Sequence, residues 1–148
     1  MKSIRLLIWP LLIAAFGVGG CNTPAKFADV SSDPAYRSHV GAVYVLKVAM
    51  HISGVNAPPG YEKTVDYYVI NPISPSWSGP ELITRDSLPA GTEIKVESVR
   101  RCTNCILDFG ERVEAVVRIP TYRTPSDLPI RISLDYLDVK FAEKKAAF

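Results

Sequence analysis

Five stretches of this chain place apolar side chains at every second position, and no stretch shows a sustained helical spacing beyond a possible turn at the extreme C-terminus. A period of two sends alternate side chains to opposite faces of an extended strand, so such a chain must build sheets with one dry and one wet side. Tyr44, Leu46, Val48, Met50 and Ile52 alternate with Val45, Lys47, Ala49 and His51. Val65, Tyr67 and Val69 alternate with Thr64, Asp66 and Tyr68, and Ile94 and Val96 with Lys95 and Glu97. The last run slips phase at Ser98-Val99, where a bulge fits. Val113, Ala115, Val117 and Ile119 point away from Arg112, Glu114 and Arg118, and Ile130, Ile132, Leu134 and Tyr136 away from Arg131, Ser133 and Asp135. Glu81–Arg85 is a candidate sixth strand.

Turn signals separate these runs: Pro58-Pro59-Gly60, residues 71–80, Leu88-Pro89-Ala90-Gly91, Asp108-Phe109-Gly110 and residues 124–129. Every proline after Pro10 sits outside the alternating segments, where its missing N–H does no harm. The pattern predicts one all-β domain over residues 41–140, a small barrel or sandwich. A flexible tether over 21–40, with one short helical turn near Pro34-Ala35-Tyr36, would precede it, and a tail over 141–148 would follow. The segment Leu88–Val99, "LPAGTEIKVESV", resembles bacterial SH3-like barrels, in which a Pro/Gly turn delivers an alternating strand. There are no internal repeats.

The N-terminus carries a different signal. Lys2 and Arg5 precede an apolar run from Leu6 to Phe16, too short to cross a bilayer, and small residues follow. Val18-Gly19-Gly20-Cys21 resembles the lipobox of bacterial lipoproteins, with Gly19 where Ala or Ser is commoner. The resemblance covers residues 1–21 and implies a signal peptide over 1–20 and acylation of Cys21, for example with palmitate. Several acyl chains on one cysteine would anchor the protein stably, since each buried methylene contributes about 0.8 kcal/mol. Asn22 is not the aspartate that retains many lipoproteins in the inner membrane. The resemblance therefore implies the inner leaflet of the outer membrane, facing the periplasm.

Cleavage at that point would remove Lys2 and Arg5 and no acid, making the 17 basic and 15 acidic residues of the whole chain equal in number. A neutral domain gives no reason to expect nucleic acid as a partner. With Cys21 acylated, Cys102 and Cys105 remain as Cys102-Thr103-Asn104-Cys105, in a compartment that permits disulfides. An extended chain would hold their Cα atoms about 10 Å apart, whereas a disulfide needs less than about 7 Å. A turn at Thr103-Asn104, with the strand ending near Arg101, would satisfy that limit. Competing readings are a redox pair and, with His39 and His51, a metal site. The first lacks the helix that a thioredoxin-like motif requires, and the second needs distant residues to converge. Haem attachment is excluded by Ile106, which stands where His would follow the second cysteine.

No nucleophile, base and orienting group stand together. Ser76 and Ser78 lie in a loop without a hydrolase elbow, Asp108-Phe109-Gly110 has no surrounding kinase motifs, and Asp135 and Asp138 are spaced to face opposite sides of a strand. No cofactor is expected. Trp77, among prolines and serines, is a candidate recognition anchor or a lid over one end of the domain, and Tyr67 and Tyr68 are candidate members of an aromatic groove. The expected role is a non-enzymatic binding or assembly module that docks on an envelope protein. The alternatives are a redox factor acting through Cys102 and Cys105, or a carrier of a small ligand or metal.

Overall fold

The computed structural model describes residues 24–57, 63–74, 78–105 and 111–146. It is all-β, with nine strands in one sheet among the described residues: β1 (Phe27–Asp29), β2 (Val43–Leu46), β3 (Met50–Val55), β4 (Tyr67–Pro72), β5 (Leu82–Leu88), β6 (Glu93–Cys102), β7 (Val113–Arg118), β8 (Ile130–Ser133) and β9 (Ala142–Lys144). The strands pair in the order β5-β3-β4-β8-β7-β6-β2-β9, with β1 added to the far end of β6. All pairings are antiparallel except β4 with β8.

The first alternating run is not one strand but two. It bends at Lys47–Ala49, so that β2 pairs with β6 and β9 while β3 pairs with β4 and β5. The Lys47 N–H donates to Phe141 O, and the Leu46 N–H donates to Thr92 O. Val48, expected on the inner face, is therefore 40% exposed, while Tyr44, Leu46, Met50 and Ile52 keep the inward positions. Because β2 and β3 are consecutive, the pairing path β3-β4-β8-β7-β6-β2 returns to its own beginning. The result is barrel-like.

Inside the ring lies an aliphatic core of Leu46, Met50, Ile52, Ile70, Ile94, Val96, Val99, Ala115 and Ile132, each at most 1% exposed. Burying each larger member contributes about 1.5–3 kcal/mol relative to exposure. The expected phases of β6 and β7 hold, including the slip, since the register between β6 and β7 shifts between Val96 and Ser98. The expected phase of β4 does not. Tyr68, Ile70 and Pro72 face inward, and Tyr67 and Val69 face outward. Four consecutive apolar residues, Tyr67–Ile70, offer either phase, and register with β8 chooses: Tyr68 sits opposite Ile130 and Ile70 opposite Ile132.

Three further expectations are corrected. The run from Ile130 ends as a strand at Ser133, and Leu134–Leu137 forms a 3-10 turn that buries Leu137. Asp135 and Asp138 consequently lie in or beside that turn rather than on a strand. The stretch read as tether is part of the fold from Phe27 onward: β1 pairs with β6, the Val30 N–H donates to Val99 O, and the Gly41 N–H donates to Val96 O. The stretch read as a C-terminal tail contributes β9. Gly91 makes the β5–β6 turn with φ +87°, a conformation that other residues adopt only with strain.

Candidate functional site

The register of the sheet brings charged residues from three strands onto one outer face. Arg100 on β6 stands opposite Glu114 on β7, Val116 on β7 opposite Arg131 on β8, and Val69 on β4 opposite Arg131. Side chains paired across strands share a face, so Arg100, Glu114, Arg131 and Val69 converge although they are far apart in sequence.

Glu114 is 6% exposed, where the alternating pattern predicts a solvated side chain. Its Oε1 accepts from Arg100 Nε at 2.6 Å and also meets Arg100 Nη2. Arg112 Nη2 stands 3.7 Å from the other carboxylate oxygen, and Arg131 Nε stands 3.9 Å from Oε1, beyond hydrogen-bond distance. Arg131 Nε is buried and has no hydrogen-bond partner among the described residues. Its guanidinium lies 3.6 Å from the centroid of the Tyr67 ring, and Phe27 packs against the guanidinium groups of Arg100 at 4.6 Å and Arg112 at 5.4 Å. Burial, and then the neighbouring Arg100, lower the Arg131 pKa from the usual arginine value, with Glu114 and Tyr67 opposing them. The guanidinium stays charged but is short of negative partners.

Phe27, Tyr67, Arg112 and Arg131 wall an open groove of about 980 Å³ that also takes in Val55, Asn56, Asp66 and Glu81, while Arg100 and Glu114 do not line it. Asn56 is 1% exposed and fixes the far end, with Nδ2 donating to Thr64 O at 2.8 Å and to Asp66 Oδ2 at 3.2 Å. Pro24 and Ala25 form part of the near wall. They are held there by the turn at Cys102–Cys105, where the cysteines form a disulfide with Cα atoms 5.7 Å apart. Asn104 Oδ1 accepts from the Lys26 N–H at 2.6 Å, Asn104 Nδ2 donates to Pro24 O at 2.9 Å, and the Thr103 N–H donates to Lys26 O at 2.8 Å.

Compared with protein-family models, with curated proteins and with solved structures, the chain matches none. Its chemistry must be read from its own residues.

Of the residues singled out from sequence, Tyr67 lines the groove and Tyr68 does not, being 5% exposed on the inner face, where it meets Tyr122 edge-on. Cys21 and Trp77 lie outside the described residues, as do Ser76 and the tripeptide Asp108–Gly110. His51 sits half-buried on β3, opposite Asn71 and Ser87. His39 packs against Tyr44, its Nδ1 2.7 Å from the tyrosine hydroxyl. His51 Nδ1 has no hydrogen-bond partner among the described residues, and no group of three or more His, Cys, Asp or Glu among them is placed to hold a metal ion. Arg131, Arg100 and Glu114 were not candidates from sequence. The only signal for them was charge at alternate positions of three strands, which ordinarily means a solvated face.

Proposed function

We propose that this chain is a lipoprotein of a bacterial envelope, acylated at Cys21, held in the inner leaflet of the outer membrane and facing the periplasm, and that its domain is a non-enzymatic binding or assembly module. The Arg131 groove supports a docking role. An arginine stacked on an aromatic ring, with an unpaired N–H in a concave and partly apolar site, suits recognition of a partner's anionic group. The likeness of Val18-Gly19-Gly20-Cys21 to a lipobox supports the anchor, and the disulfide is at home in an oxidising compartment. The tight turn feeding β6 supports a likeness between Leu88–Val99 and one hairpin of SH3-like barrels.

The test is mass spectrometry of protein purified from cells, together with photo-crosslinking from position 67 in intact cells. We expect the N-terminus to begin at acylated Cys21, and a discrete crosslinked neighbour that disappears in Arg131→Gln. A soluble, unmodified chain with no neighbour would refute the assignment. The alternative, redox work by Cys102 and Cys105, predicts a substantial reduced or mixed-disulfide population on thiol trapping. A pair that stays fully oxidised supports the structural role, in which the disulfide turn holds Pro24–Lys26.

A further inference from the structure

We propose that the Arg131 groove binds the phosphodiester of a glycerophospholipid headgroup at the surface of the membrane to which the chain is attached. The lipid as the source of the phosphate rests on the anchored reading above; the oxyanion site itself does not.

The chemistry begins with the guanidinium of Arg131. Its planar fork matches two oxygens of a phosphate or carboxylate, and its Nε has no hydrogen-bond partner among the described residues. Stacking on Tyr67 at 3.6 Å fixes the plane of the fork, so little freedom remains to be lost on binding. Arg100 stands behind it. Its pairing with Glu114 leaves Arg100, Arg131 and Glu114 together with one positive charge in excess, without counting Arg112. A phosphodiester is a monoanion and would neutralise that excess at the Arg131 end of the groove; the lining carboxylates Asp66 and Glu81 belong to residues that bond Asn56 at the far end.

Position selects the source. Pro24 and Ala25 line the groove, and three residue steps separate Pro24 from Cys21. Three steps span at most about 10 Å. The headgroup layer on each side of a bilayer is about 5–8 Å deep. An acyl group on Cys21 would therefore hold the groove's near wall within reach of headgroups. The groove is also lined by Tyr67 and Tyr136, whose amphipathic rings suit the boundary between acyl chains and water. A peptide carboxylate shares the charge and the planar geometry, and is the main competitor.

The full chain in neutral detergent is titrated calorimetrically with glycerophosphoglycerol, the soluble headgroup of an anionic phospholipid. Binding in the millimolar range is expected, weakened about tenfold or more in Arg131→Gln and about threefold in Arg131→Lys, which keeps the charge and loses the fork. Thermal melts establish that each variant folds. If the Gln variant does not fold, the Lys variant decides, because unchanged binding there refutes the site. Equal binding by wild type and Arg131→Gln also refutes it. Displacement of glycerophosphoglycerol by equimolar acetate reassigns the groove to carboxylates, and tighter binding of inorganic phosphate than of glycerophosphoglycerol removes the lipid. Headgroup binding that persists in a protein shown to lack acylation at Cys21 overturns the membrane source and the proposed anchoring, but leaves the oxyanion site standing.

Discussion

Ala115 and Glu114 are neighbours on one strand, as are Ile132 and Arg131 on the next, and all four are largely shielded from water. The inner pair belongs to a core of aliphatic side chains, each satisfied by any close-packed apolar neighbour. The outer pair belongs to a cluster in which a buried carboxylate depends on guanidinium groups in fixed directions. Burial alone does not separate the two faces. The inner face tolerates changes of identity that preserve volume, while the outer face tolerates almost no loss of a partner, because a charge left behind is costly. The inner side of these strands thus holds the fold by packing, and the outer side by paired charges.

The largest expected effect comes from breaking the inner side. Ile132→Ala empties a fully buried position and should destabilise the fold by about 3–4 kcal/mol, read from the denaturant midpoint at unchanged slope. Glu114→Gln tests the outer side. It strips the carboxylate from Arg100 and Arg131, whose side chains are 21% and 19% exposed, so water offsets part of the loss. About 2–3 kcal/mol is expected, and adding Arg100→Gln should cost less than the two single changes summed. Equal losses for Glu114→Gln and Ile132→Ala, with additive behaviour in the double variant, would erase the distinction drawn here.

Replacing Cys102 and Cys105 by serine sharpens the comparison at the groove's near wall. A loop this short gives at most about 2 kcal/mol from chain entropy, and about 1–2 kcal/mol should be lost. The effect should be local: amide exchange should quicken at Lys26 and Thr103 and stay unchanged at Ile132. The smallest effect concerns His39, whose pKa is lowered from 6.5 by burial and then by Lys144. The unfolded chain takes up that proton first, so stability should fall as pH drops below about 6.5 and level off beneath the lowered folded value. Denaturant midpoints at pH 7.5 and 5.5 measure the slope, which should flatten in His39→Gln.

How far the fold could be read in the sequence depended on whether an alternating run had one phase or two. Ile94-Val96 and Val113–Ile119 had one, and both their faces and the bulge at Ser98 were readable. Tyr67–Ile70 had two, and only pairing with β8, some 60 residues away, decides between them. The bend at Lys47–Ala49 left no trace because the alternation continues through it. Strands β1 and β9 are three residues long, too short to show a period. The groove was hidden for a related reason. Arg100, Glu114 and Arg131 each look like an ordinary outward charge, and their meeting is a property of register between strands. The turn at Thr103-Asn104 was readable from local geometry alone, but its hold on Pro24–Lys26 was not.

The bend between β2 and β3 has a temporal consequence. Leu46 stands opposite Ala142, and Tyr44 opposite Lys144, so one edge of β2, whose other edge pairs with β6, meets its partner only at residues 142–144. A chain emerging N-terminus first would present that edge of β2 unzipped until residues 142–144 had appeared. Pairings of such long range are slow to form, so this edge would close late in folding.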